Sequence, residues 1–551
     1  MTDFLQRAPF DLDDAALAWV EASLAAMDGR ARAAQLFIHL SMGNDPAELP
    51  RLKALQPAGI TRFFSGTLAE EADFLERCQG QSDLPLLVSS DLEGSRMSLP
   101  FGTEVPNPLA LAAVDDLEAS RCVARIMARE AAAVGVNWTF TPVLDINAAF
   151  RSPIVATRGF GSDPARIEAQ ALTQIAAFQA EGVAATVKHW PGEGHDDRDQ
   201  HLVTTFIPLS VEDWDATHGR LYRQAIAAGV KAVMAGHIAF PAYVRAADPD
   251  AGVEAFRPAS VSRLLTHELL RERLGFNGLI VSDATPMAGF GAWAPRAQML
   301  PEVIASGCDL ILFSDDPEGD LAVIEAAIAD GRISQARLDE ALRRILGLKA
   351  SLGLHRGVRP AARDRIGLAE DRAAARAVTA RAPTLVKDVA GLLPLDPARH
   401  RRVLVVSGGV VFPFRPEPLP LDLPALLQAE GFEVTLHRKG QHIRPQDWDL
   451  VIYALAEETL LTRGRIFLDW LKLTGSFGAA MQRPWHEVPT VIVSFGYPYL
   501  LYDAPRAPCL INAYASMPSM QQAVVDCLVG RVPFQGASPV DPFCGLEDAR
   551  Y

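Results

Sequence analysis

Between residues 14 and 350, short apolar runs closed by polar residues alternate with longer stretches in which apolar side chains recur every three or four positions. The short runs read as buried parallel strands and the periodic stretches as amphipathic helices. Eight strands are expected, at 35–40, 59–64, 85–90, 138–143, 185–190, 232–238, 278–283 and 310–314. One helix is legible residue by residue. Asp163 offers an N-cap with Pro164 at the first helical position, Ile167, Ala171, Leu172, Ile175 and Phe178 mark one apolar stripe, and Gly182 closes it. Eight strand–helix units predict an α/β fold with a (β/α)8 barrel of the TIM type over residues 1–352.

Helical patterning continues through 333–352, and Gly353 with Gly357-Val358-Arg359-Pro360 then breaks it. Residues 353–399 read as a connector of helix and loop. A second α/β unit begins at Arg402-Val403-Leu404-Val405-Val406-Ser407-Gly408-Gly409, with further buried strands at 433–437, 450–455 and 490–494. This predicts a smaller α/β/α sandwich domain over 400–535 and a Pro-rich surface tail over 536–551. The Ser407-Gly408-Gly409 turn lacks both the phosphate-loop Lys and GxGxxG spacing, so it is read as a tight turn.

In such a barrel, chemistry sits where the strands end, which singles out Asp91, Asp145, Lys188, His189, His237, Asp283 and Ser314. The densest of these ends is the segment Lys188-His189-Trp190-Pro191-Gly192-Glu193-Gly194-His195-Asp196-Asp197-Arg198-Asp199-Gln200-His201. A solvated charged loop is one reading of it. Another is catalytic: Asp199 and His201 are two apart, so in extended backbone both leave the same face, and a carboxylate beside an imidazole fixes its tautomer. As metal ligands, His195, Asp199 and His201 match no standard zinc spacing.

Composition narrows the picture further. A chain of 551 residues, 49% hydrophobic and 22% charged, suits a globular enzyme of two domains. A net charge of −15 argues against a nucleic-acid or anionic-membrane partner. The start has no basic, apolar leader pattern and no run approaches a membrane span, so a cytoplasmic location is expected. The six Cys have no CxxC pair, which implies neither a disulfide framework nor a structural zinc. No cofactor or metal is expected, and the pattern assigns no oligomeric state.

Five segments in order resemble glycoside hydrolase family 3, and within it the β-N-acetylglucosaminidase branch. Ser90-Asp91-Leu92-Glu93-Gly94-Ser95-Arg96 is similar to the family's D-x-E-G-G-R segment. Pro142-Val143-Leu144-Asp145 and Arg158-Gly159-Phe160-Gly161-Ser162-Asp163-Pro164 resemble P-V-x-D and R-x-F-G-x-D-P. Lys188 to His201 resembles K-H-F-P-G-H-G-x4-D-S-H, and Val281-Ser282-Asp283 resembles the strand end that bears the nucleophile. The resemblance covers the barrel throughout and the second domain more loosely.

It implies a retaining exo-β-N-acetylglucosaminidase acting on terminal β-linked amino sugars by double displacement. Asp283 would be the nucleophile and His201 the acid/base, oriented by Asp199, with Asp91, Arg158, Lys188 and His189 on the sugar hydroxyls. His237 and Glu193 are counted with the substrate-binding set. A strand-end carboxylate can form a glycosyl ester, and a His–Asp pair in place of a second carboxylic acid departs from most retaining enzymes. Three positions depart from the family pattern: Glu193 replaces His, Gln200 replaces Ser, and Ser95 stands where a second Gly is usual. Glu193 is also a rival for the acid/base role.

Two further readings stay within the family. In a β-glucosidase the acid/base would be a Glu of the second domain, for which Glu457 and Glu458 are candidates. In a phosphorolytic variant phosphate would accept the sugar, since an imidazole does not repel an anion as a carboxylate does. An inactive sugar-binding regulator is the reading from another class, and retention of Asp283, Asp199 and His201 speaks against it.

Overall fold

The computed structural model describes residues 3–412, 416–459 and 461–551. Eight parallel strands form the first sheet: β1 (Phe37–Met42), β2 (Gly59–Phe63), β3 (Leu87–Ser90), β4 (Trp138–Thr139), β5 (Thr186–Trp190), β6 (Ala232–Ala235), β7 (Leu279–Ala284) and β8 (Leu310–Leu312). Their order is β4-β3-β2-β1-β8-β7-β6-β5. Parallel bridges Trp138↔Ala184 and Val143↔Lys188 join β4 to β5 and bring the sheet round into a barrel. The α/β barrel fold expected from the alternating pattern is therefore present. β4 is shorter than its apolar run, and pairing resumes past Pro142 in the Val143↔Lys188 bridge. The register of β5 on β6 shifts between Val187 and Trp190, where Lys188 and His189 lie.

The helices behave as their residues dictate. Asp163 caps Pro164–Ala180 by accepting from the Ala165 N–H, and Ile167, Ala171, Ile175 and Phe178 are buried. Burying Ile167, Ile175 and Phe178 stabilises this layer by roughly 1.5–3 kcal/mol each. Leu172 is only half-buried, at the border of the stripe.

The second sheet has six strands: β9 (Thr384–Asp388), β10 (Arg402–Val411), β11 (Glu433–Leu436), β12 (Leu450–Glu457), β13 (Thr490–Ser494) and β14 (Cys509–Asn512). The order is β9-β14-β13-β12-β10-β11, parallel except for β9, which pairs antiparallel with β14. β9 lies inside the 353–399 stretch read from sequence as a connector, so that stretch supplies an edge of the second sheet. β11, read as a buried strand, is an exposed edge paired on one side with β10, and its Leu436 is 59% exposed. The 536–551 tail is pinned: Lys387 Nζ donates to the carbonyls of Pro505, Ala549 and Tyr551.

The two domains share a core. Leu109, Ala110, Ala113 and Ala156, from loops and a short helix on the carboxyl side of the barrel, pack into the hydrophobic cluster of the second domain. The second sheet is thereby held over the barrel mouth. No helix among the described residues is long and apolar enough to cross a membrane.

Candidate active site

The strand ends open into a pocket of about 150 Å³ lined by Asp91, Arg158, Lys188, His189, His201 and Asp283, with Phe140, Met234, Met287 and Phe313 among its apolar walls. Cation and carboxylate alternate on one side of it. Lys188 Nζ is 2.7 Å from Asp91 Oδ1 and 2.8 Å from Glu93 Oε1. Arg158 grips Glu93 with two bonds, Nε to Oε2 at 2.8 Å and Nη2 to Oε1 at 2.9 Å. Burial would raise the Glu93 carboxyl, but Arg158 and Lys188 outweigh it and hold the group ionised. Asp91 Oδ2, Arg158 Nη1 and His189 Nε2 have no hydrogen-bond partner among the described residues.

His189 is fixed from below. Its Nδ1–H donates to Asp145 Oδ2 at 2.6 Å and its backbone N–H to Asp145 Oδ1 at 3.0 Å. Asp145, read from sequence as one rim residue among several, is thus the support of a pocket residue. Burial opposes its charge, and His189 more than compensates.

Asp283 ends β7 with one oxygen accepting the Ala284 N–H at 2.7 Å. Burial pushes its carboxyl up, but His189, His237 and His201 together hold it below the ordinary range, so it is an anion with a free oxygen at the pocket floor. His237, expected to bind substrate, is fully buried and does not line the pocket. Its Nε2–H donates to the Ala284 carbonyl at 3.0 Å, and Nδ1 accepts from the Ser260 hydroxyl at 2.9 Å. Both ring nitrogens are spent on protein, and the residue braces the turn after Asp283 instead.

His201 and Asp199 meet as their spacing predicts. His201 Nδ1–H donates to Asp199 Oδ1 at 2.7 Å, and so does the His201 backbone N–H, also at 2.7 Å. The second oxygen of Asp199 accepts the backbone N–H of Thr462, a second-domain residue, at 2.8 Å. Burial raises Asp199, but these bonds prevail and keep it charged. With Nδ1 occupied, His201 presents Nε2 to the pocket.

Glu193 is displaced from its expected place as well. It is 3% exposed and lies beneath the pocket lining, its Oε2 accepting from Gln200 Nε2 at 3.0 Å. Burial first, then Asp145, and further Asp199 and Asp283, raise its carboxyl well above the usual range against the pull of Arg158. Ser314 donates to Asp320 and does not line the pocket.

Among the described residues, the metal-like gathering is Asp145, His189 and Glu193, whose donor atoms lie within 4.8 Å of one another, rather than His195, Asp199 and His201. His189 Nδ1 and Asp145 Oδ2 are already at hydrogen-bonding distance, which leaves no room for an ion between them.

Spacing did not single out the second-domain wall. Glu458 lines the pocket and accepts from Ser95 Oγ at 2.8 Å, Ser516 N at 2.9 Å, Ser516 Oγ at 2.6 Å and Asn107 Nδ2 at 3.2 Å. Glu457 points elsewhere, into a cavity of the second domain with Lys439 and Lys472. Arg96 reaches Ser516 from the barrel side. No local pattern announces contacts between residues more than 350 positions apart.

Residues 56–348 match the family model "Glycosyl hydrolase family 3 N terminal domain". A protein of Cellulomonas fimi named "Beta-N-acetylglucosaminidase/beta-glucosidase" is 42% identical over 562 residues, covering 99% of each chain. Among solved structures, "Beta-glucoside phosphorylase BglX" superposes with a TM-score of 0.92 at 33% identity over 100% of both chains. A glycoside hydrolase family 3 beta-N-acetylglucosaminidase from Paenibacillus sp. str. FPU-7 superposes at 0.81 with 25% identity, covering 95% of this chain and 100% of its own.

Proposed function

Because the chain belongs to glycoside hydrolase family 3, we propose that it is a retaining, exo-acting β-N-acetylglucosaminidase in which Asp283 is the nucleophile and His201 the acid/base. The observation that carries this reading is the placement of the Asp199–His201 pair on the same pocket as the ionised Asp283. Asp91, Arg158, Lys188 and His189 hold the ring hydroxyls. The free Asp283 oxygen attacks the anomeric carbon and forms a glycosyl ester. His201, protonated on both ring nitrogens at this stage, gives its Nε2 proton to the departing glycosidic oxygen and becomes the neutral Nδ1–H imidazole. The same imidazole then takes a proton from the water that cleaves the ester. Asp199 fixes the Nδ1–H tautomer through both steps.

The Cellulomonas fimi relative supports an N-acetylglucosaminyl or glucosyl substrate by its printed name. Nitrophenyl β-glycosides of N-acetylglucosamine, glucose and xylose, assayed side by side, test this. The expected result is the highest kcat/KM on the first, and a clear preference for glucose or xylose overturns the assignment of the sugar.

Transfer to phosphate is a second reading, supported by the whole-length likeness to the beta-glucoside phosphorylase and by an acid/base that is an imidazole and not a carboxylate. Adding inorganic phosphate and assaying the product as sugar 1-phosphate or free sugar separates the two acceptors.

A further inference from the structure

Two of the positions at which this chain departs from the family pattern touch each other. Gln200, between the dyad residues, donates from Nε2 to Glu193 Oε2 at 3.0 Å, and its Oε1 accepts the backbone N–H of His237 at 2.9 Å. Gln200 is fully buried and Glu193 nearly so. Neither lines the pocket.

Each end of this link leads to a group that meets the sugar. The Glu193 backbone N–H donates to Asp145 Oδ1 at 2.9 Å, the same oxygen that takes the His189 N–H, and Glu193 Oε2 lies 3.7 Å from His189 Nδ1. His237 donates to the Ala284 carbonyl beside Asp283. Gln200 is itself flanked by Asp199 and His201. One amide–carboxyl contact therefore joins the acid/base segment, the support of His189 and the turn that carries the nucleophile.

Burial and the surrounding carboxylates push the Glu193 carboxyl well above its usual range. Asp145, Asp199 and Asp283 add negative charge around it, Arg158, bonded to Glu93, adds positive charge, and His189 Nδ1 lies 3.7 Å from Oε2. Glu193 Oε1 has no hydrogen-bond partner among the described residues, so Gln200 is the side chain that holds the carboxyl group by a hydrogen bond.

We propose that Glu193 and Gln200 are a positioning pair, a buried carboxyl group bonded to an amide, that sets His201 over the glycosidic oxygen relative to His189 and Asp283. The inference rests on His201 as acid/base. It assigns Glu193 no proton transfer of its own.

The test measures kcat and kcat/KM for Glu193→Ala, Gln200→Ala, the double variant and Glu193→Gln, on a nitrophenyl glycoside and on a disaccharide. Misplacing the proton donor should cost each single alanine variant about tenfold or more on the disaccharide and far less on the nitrophenyl substrate. The double variant should lose little more than either single one, since both break the same link. Glu193→Gln, which keeps an acceptor for Gln200 and cannot ionise, should restore most of the disaccharide activity.

Losses that multiply in the double variant, or that are equal on both substrates, would show two independent structural roles and overturn the pair. A Glu193→Gln variant as impaired as Glu193→Ala, with steep leaving-group dependence, would make Glu193 a proton donor and overturn it too. His201→Ala, run alongside, tells failure of the pair from failure of the acid/base assignment: without leaving-group dependence there, the assignment itself falls.

Discussion

Asp199→Asn is the sharpest probe of the dyad, because the structure shows what each oxygen of Asp199 does. Oδ1 accepts from both the ring and the backbone of His201, and Oδ2 accepts from Thr462 N. The side chain is fully buried, so water cannot substitute for a lost bond. Asparagine has one acceptor and one donor. With its amide toward Thr462, two N–H groups oppose each other. With its amide toward His201, it donates to Nδ1 and forces the proton onto Nε2, the tautomer that cannot act as base. Either arrangement also removes the negative charge beside the imidazolium. General acid–base catalysis is worth on the order of 10²–10⁴-fold, or about 3–5 kcal/mol of transition-state stabilisation. The expected loss in kcat/KM for a disaccharide is therefore within that range. A nitrophenyl glycoside, whose leaving group departs largely unaided, should lose far less. The assay is kcat/KM across a series of aryl leaving groups, with thermal melting as the control for folding. An unchanged rate on the disaccharide, or an equal loss on every substrate with an unchanged melting curve, would refute the role given to Asp199.

Three further outcomes follow from particular contacts. Asp283→Ala should lose several orders of magnitude in turnover, and peptide mapping after reaction with a 2-fluoro sugar should find the label on Asp283 in the unaltered protein. Arg158→Lys should destabilise the fold by about 1–3 kcal/mol in denaturant titration and weaken substrate binding, because an ammonium cannot reproduce the two-pronged grip on buried Glu93. Lys349, wholly buried with Nζ 2.9 Å from Gln35 Oε1, is pushed down by burial from 10.5 to about 7. Its folded value lies below its unfolded one, so the unfolded chain binds the extra proton and this group's contribution to stability rises between about pH 7 and 10.5. Near pH 7 the penalty is of the order of 5 kcal/mol before the lost bond to Gln35 is subtracted. Lys349→Met should therefore melt higher at pH 7, with the advantage shrinking toward pH 10; a pH-independent difference would count against this account.

The barrel was legible because parallel strands are buried on both faces and read as apolar runs, while the helices between them carry a period of their own. The second sheet was less so. Thr384-Leu385-Val386-Lys387-Asp388 is an antiparallel edge whose Leu385 is 38% exposed, and its mixed character resembles a connector. Cys509–Asn512 is a four-residue apolar run, too short for periodicity to distinguish strand from helix. In the site, the Asp199–His201 pair was legible because its geometry is local. His237 and Glu193 were misplaced for a physical reason: a polar residue at a strand end can face the pocket or brace it from behind, and spacing is the same in both cases. Glu458, Ser516 and Thr462 reach the site only through the packing of one domain on the other.

Ser95 is the third position that departs from the pattern. Ser95 sits at φ +48°, in the left-handed region where Gly is favoured, and a side chain there costs about 1 kcal/mol. Its hydroxyl donates to Glu458 Oε1, joining the barrel to the second-domain wall of the pocket. Glycine would avoid the backbone cost but leave Glu458 one donor short. All three departures thus sit behind or beside the groups that would touch the sugar: Glu193 with Gln200 beneath His189 and the dyad, Ser95 against Glu458. Asp91, Arg158, Lys188, His189, His201 and Asp283 line the pocket itself. The second domain holds Asp199 through Thr462 and meets the barrel at Ser95 and Asn107 through Glu458. His201 is therefore positioned from both domains, while Asp283 is anchored in the barrel.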